Sequence, residues 1–241
     1  MKSEPKQKQR FQKKASLKAS SATQFVAARN LFSEMQISAK ALRVLDTFIT
    51  SVTHDTVSHR VRRAGQEAPD FILPDSGGRE VRLYGELELG PVVLVFFRGG
   101  WCPFCTTYLR GFQLILPGLQ TAGMRLLAVS PQLPDGSLLT REANGLEFPL
   151  LSDVGNRVAR RYGVACQLPE KLIGLHGKLG LCLALANGIG GCRELPFPAT
   201  FVIDTDRRIR RSLVDLDYVR RAGPKKVLQQ VSRFHEINPN Q

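Results

Sequence analysis

From Gln24 to about Val52, apolar residues recur at three- and four-residue steps: Ala28, Phe32, Met35, Ala39, Leu42, Leu45, Ile49 and Val52. That period draws one apolar stripe along a helix. Residues 1–23, rich in Lys, Gln and Ser, have no such periodicity and are expected to be disordered. The pattern divides the chain into a disordered basic tail at 1–23, an amphipathic helix and polar linker at 24–65, and a main domain at 66–237. The stripe suits packing across the main domain or against a second copy in a homodimer, and the sequence leaves both open.

In the main domain the period shortens. Ala68–Asp75 and Arg79–Leu83 are strand candidates around the turn Ser76-Gly77-Gly78. Val92 to Phe97 is an unbroken β-branched and aromatic run, as expected of a strand buried on both faces. A helix carrying Leu109, Phe112, Leu116 and Leu119 follows, and Met124 to Ser130 is a second buried strand. Short helices are expected around Ser137–Asn144 and from Asn156 to Tyr162, the latter stopped by Gly163. Residues 166–195 have weak periodicity and receive no assignment. Ala199–Asp204 and Ile209–Val214 read as a hairpin, and a last helix runs from about Pro224 to Phe234. Strands alternating with helices and closing in a hairpin define an α/β fold with a mixed central sheet.

Charge changes this picture little. The chain carries a net +13, but residues 1–63 hold 13 Lys/Arg against 4 Asp/Glu, so a balance of +9 belongs to the N-terminal region. Of the four aromatic residues there (Phe11, Phe25, Phe32 and Phe48) only Phe11 stands within the basic tail, too few for a run of base-stacking platforms, so nucleic acid is not the expected partner. No apolar run reaches the roughly 20 residues of a membrane span, and no apolar signal core lies near Met1. A cytoplasmic protein is expected. An organelle is the alternative, if the Arg/Lys/Ser-rich N-terminus is a transit peptide.

The chemistry sits in the cysteines. There are five: Cys102, Cys105, Cys166, Cys182 and Cys192. Their odd number and irregular spacing do not suit a secreted disulfide framework. Cys102 and Cys105 fall where a buried strand turns into a helix, in Phe97-Arg98-Gly99-Gly100-Trp101-Cys102-Pro103-Phe104-Cys105. Unpaired N–H groups and the positive dipole end of a helix favour a thiolate there. Pro103 suits the first helical position, where its missing N–H costs nothing. Arg98 is expected to add positive potential and Trp101 to shield one side. Half a zinc site is the competing reading. Neither the other cysteines nor His54, His59, His176 and His235 complete it at a suitable spacing, so no metal and no cofactor is expected.

Residues from about 66 to 235 resemble the peroxiredoxin-like branch of the alkyl hydroperoxide reductase/thiol-specific antioxidant family. The resemblance is carried by Ala68-Pro69-Asp70-Phe71, the Phe97–Cys105 segment, Val129-Ser130-Pro131-Gln132, Phe148–Asp153, Phe197–Asp204 and Val214-Asp215-Leu216-Asp217-Tyr218. It implies a thioredoxin-like fold with peroxiredoxin-type additions. It also implies that Pro198 is the cis-proline that faces the two cysteines in thioredoxin-like proteins.

The resemblance contains a conflict. Overlaid on a peroxiredoxin, the attacking cysteine would be Cys105, while Cys102 takes the place of a Thr or Ser and Arg98 that of a Pro. The usual active-site Arg falls near Pro198. In thioredoxins the attacking cysteine would be Cys102. The expected activity is reduction of hydrogen peroxide or organic hydroperoxides by a Cys102/Cys105 dithiol, reopened by a thioredoxin- or glutathione-type reductant. The alternative is thioredoxin-like exchange with protein disulfides.

Overall fold

The computed structural model describes Thr47 and residues 60–178, 181–188, 193–214 and 223–229. The expected tail at 1–23, almost all of the helix at 24–52, Asp215–Tyr218 and Cys192 lie outside these residues.

At the centre is β3 (Val92–Phe96), every residue of which is buried. It runs parallel to β4 (Arg125–Ser130), which runs parallel to β5 (Leu150–Ser152). On its other side β8 (Ala199–Ile203) is antiparallel and pairs with β9 (Ile209–Val214) as the expected hairpin. The order β5-β4-β3-β8-β9 makes a mixed five-stranded sheet of thioredoxin-like type.

Side-chain alternation along β3 builds a core on each face. Val93 and Val95 join one cluster with Phe104, Leu109, Phe112, Leu116 and Leu119. Val92, Leu94 and Phe96 join the other with Phe71, Leu83, Tyr162 and Phe201. The first cluster is covered by α2 (Pro103–Thr121), the helix that starts at the cysteine pair. Before the sheet, β1 (Ile72–Pro74) and β2 (Glu80–Arg82) form a small hairpin, as the turn residues imply. Leu83, expected to end that strand, instead opens the short helix α1 (Leu83–Leu87) and buries its side chain with Leu87.

The remaining helices refine the expected boundaries. Helix α3 (Pro134–Asn144) starts three residues earlier than the apolar pattern suggests, with Pro134 in its first turn, and stops at left-handed Gly145. Helix α4 (Arg157–Arg161) follows Asn156, which is itself left-handed at φ 56°. The unassigned stretch holds β6 (Ala165–Gln167), α5 (Glu170–Lys178), α6 (Leu183–Asn187) and β7 (Glu194–Pro196), with β6 and β7 paired antiparallel. Leu168, Leu172, Leu183 and Leu195 form a small core of their own, with Trp101 packed against it. Of the last expected helix, residues 224–229 are described and helical. Among the described residues no helix is long and apolar enough to cross a membrane.

Candidate active site

Sheet, turn and helix meet at Cys102. After β3 the Phe97 N–H still donates to Val129 O at 3.0 Å, and the chain then turns through Gly99 and Gly100. Both glycines are sterically required. A Cβ on Gly99 would lie 2.3 Å from Trp101 Nε1, and one on Gly100 would lie 2.0 Å from Thr140 Oγ1. Gly99 also has φ +152°, in the region that side chains disfavour. The turn is tied down by the Gly100 N–H, which donates to Gln132 Oε1 at 2.7 Å. Gln132 is buried, and Thr140 Oγ1 lies 3.3 Å from the same oxygen.

Cys102 is the N-cap of α2, with extended backbone, and Pro103 opens the helix. Its carbonyl accepts from the N–H groups of Cys105 (2.9 Å) and Thr106 (3.1 Å), so Cys105 stands in the first turn. Neither cysteine is in a disulfide. Cys102 is 2% exposed and Cys105 0%. Arg98 reaches across the turn and donates from Nη2 to Cys102 Sγ at 2.8 Å. Its guanidinium also lies 5.9 Å from the Trp101 ring centroid.

Trp101 lies between the main core and the small leucine core. Its ring meets His176 of α5 edge-on, with centroids 5.6 Å apart. Burial, and after it the Arg98 charge, push the His176 imidazole down to about 4, so it is neutral near pH 7. The neutral ring donates from Nδ1 to Leu172 O at 2.8 Å. On the neighbouring strand, Ala199 pairs with Phe96, which puts buried Pro198 beside the strand end from which the turn springs. The expected cis bond is corrected: the described residues contain no cis peptide, and Phe197–Pro198 is trans. Trans is the ground state for X–Pro by about 0.5–1 kcal/mol, so proline permits cis without imposing it.

The structure thus brings Arg98, Trp101, Cys102, Pro103 and Cys105 into one turn, with Pro198 at the adjacent strand end. Cys166 and Cys182 lie apart, on β6 and at the start of α6. Gln132, Thr140 and His176 were not singled out by sequence reasoning. Gln132 stands in the Val-Ser-Pro-Gln segment, but nothing in one sequence says that its amide faces Gly100. Among the described residues no group of three or more His, Cys, Asp or Glu is arranged to hold a metal.

The sequence profile of the AhpC/TSA family matches residues 64–212, more than half of the chain. A protein of Mycobacterium tuberculosis named as a peroxiredoxin is 35% identical over 145 residues, covering 60% of this chain and 80% of its own. The thiol-disulfide oxidoreductase ResA of Geobacillus thermodenitrificans is 34% identical over 116 residues, covering 48% of this chain and 66% of its own. Among solved structures, peroxidoxin BcpB of Mycobacterium tuberculosis superposes with a TM-score of 0.56 at 26% identity, covering 71% of this chain and 97% of its own. The chain belongs to the AhpC/TSA family.

Proposed function

We propose that the protein is a thiol-dependent peroxidase in which Cys102 attacks and Cys105 resolves. The Arg98 guanidinium 2.8 Å from Cys102 Sγ carries this reading. A buried positive charge at that distance favours the thiolate over the thiol, and the helix N-terminus acts in the same sense. The Cys102 thiolate attacks the terminal, hydrogen-bearing oxygen of a hydroperoxide. The O–O bond breaks, the alcohol or water leaves with a proton, and sulfur is oxidised to a sulfenic acid. The Cys105 thiol then attacks that sulfur and expels water, which leaves a Cys102–Cys105 disulfide. Two electrons from an external dithiol or two monothiols, of thioredoxin or glutathione type, reopen it. Such a cycle suits a reducing compartment.

Disulfide exchange is the second reading, and the same contact favours it. A thiolate at the first position of Cys-Pro-Phe-Cys is also arranged to attack a disulfide, and the relative named as a thiol-disulfide oxidoreductase supports this. Hydrogen peroxide consumption and insulin-disulfide reduction, each measured with thioredoxin and with glutathione as reductant, separate the two. Peroxide turnover well above that of free thiol, with little insulin reduction, is expected. The reverse pattern overturns the peroxidase.

A further inference from the structure

Apart from the cysteine pair, the segment Arg60-Val61-Arg62-Arg63 lies across the end of α4. The Arg62 N–H donates to Tyr162 O at 3.0 Å, and its Nε to Arg161 O at 3.2 Å. The crossing demands glycine at position 163, where φ is +74° and a Cβ would lie 1.9 Å from Arg60 O. Two arginine groups about a hundred residues apart are thereby gathered around one cleft of about 750 Å³. Arg60, Arg62, Arg63, Arg160, Arg161 and Glu194 provide its charged lining.

Among the described residues, five guanidinium groups thus share the cleft with a single carboxylate. Glu194 is buried and pairs with Arg160 at 2.8 Å. Arg62 and Arg161 direct N–H groups to carbonyls, with Arg161 Nη1 on Asp70 O at 2.6 Å. A carbonyl fixes a guanidinium in place without cancelling its charge, so Arg62 and Arg161 bring their positive charge to the cleft. The volume lies within the usual range of small-molecule sites, but such sites are mostly apolar. Here charge must select the ligand. Burial and then Glu194 push the thiol of Cys166, one residue beyond the lining residue Ala165, up to about 11, which disfavours its thiolate. The cleft is equipped to bind rather than to react.

We propose that this cleft binds a small, multiply charged anion of the phosphate type. Guanidinium forks present paired N–H donors that match the oxygens of such an anion. Arginines arriving from two chain segments suit a ligand with charged oxygens on more than one side. The proposal is independent of the redox reading, because no residue of the cleft belongs to the cysteine turn.

Calorimetric titration of the full chain with inorganic tripolyphosphate at low ionic strength tests it. Saturable binding at one site is expected, unchanged by Cys102→Ser. Arg60→Ser with Arg63→Ser should raise Kd at least tenfold, and the two Arg→Lys replacements should raise it less. Arg110→Ser with Lys171→Ser removes as much charge from exposed positions elsewhere and should leave Kd within about twofold. Thermal melting in high salt checks that each variant is folded. Absence of saturable binding overturns the proposal. So does equal weakening by both charge pairs, or binding that survives the cleft variant because the basic N-terminal segment carries it. A single-stranded oligonucleotide that binds the cleft far more tightly than tripolyphosphate overturns the small-anion assignment.

Discussion

Arg98 Nη2 lies 2.8 Å from Cys102 Sγ, and both side chains are buried. Away from water a guanidinium acts on a nearby sulfur with little screening. Replacing Arg98 with Met keeps much of the side-chain volume and removes the charge. In a Cys105→Ser background, alkylation of Cys102 by iodoacetamide at pH 6.5 should slow by about tenfold or more. An unchanged rate would mean that Arg98 packs against Cys102 without tuning it.

Gln132 ties the turn to the end of β4. Gln132→Leu leaves the partly buried Gly100 N–H without its acceptor, which costs about 0.5–1.5 kcal/mol. Urea unfolding measures the loss. A variant as stable as the parent would show that the turn finds another acceptor.

Two glycines give opposite signs. Gly100→Ala drives a methyl group into Thr140 and should destabilise by about 1–3 kcal/mol. Gly174 lies within α5 with nothing inside 4 Å of an added Cβ. Gly174→Ala should therefore stabilise by about 0.5–1 kcal/mol. Thermal unfolding of the two variants side by side checks both signs.

His176 links stability to pH. Its imidazole is pushed down to about 4 in the folded protein, against an ordinary value of 6.5. Between those values the unfolded chain takes up a proton that the folded chain refuses. Its contribution is thus complete above about pH 6.5, falls as pH drops toward 4, and falls no further below that. The loss is about 3 kcal/mol. Urea unfolding at pH 7.5 and 4.5 should show a smaller drop for His176→Gln than for the parent, and equal drops would contradict the assignment.

The central sheet and α2 were legible because each has one strong period. Val92–Phe97 is apolar throughout and ends in a turn that only glycines can make, and Leu109, Phe112, Leu116 and Leu119 trace the buried stripe of the helix. Residues 166–195 were not legible because their elements are short. Helix α6 spans five residues, too few for a period to emerge, and β6 and β7 have three each. Leu83 was misread because one turn of helix after a strand leaves no distinct pattern. Cys102 and Cys105 announce themselves by spacing and context. Gln132 and His176 reach the turn only through tertiary packing, so only the folded chain shows their contacts. The bond before Pro198 is a further case, since residue type permits two isomers and the surroundings decide.

The most direct test of the account is to trap the oxidised sulfur after one turnover. Cys105→Ser and Cys102→Ser proteins are each treated with one equivalent of hydrogen peroxide in the presence of dimedone, and the modified residue is read by peptide mass spectrometry. The account predicts rapid sulfenic acid formation at Cys102 in Cys105→Ser, little reaction in Cys102→Ser, and a Cys102–Cys105 disulfide in the parent. Rapid trapping at Cys105 instead would reverse the roles of the two sulfurs. A parent protein that consumes peroxide no faster than free thiol would contradict the peroxidase itself.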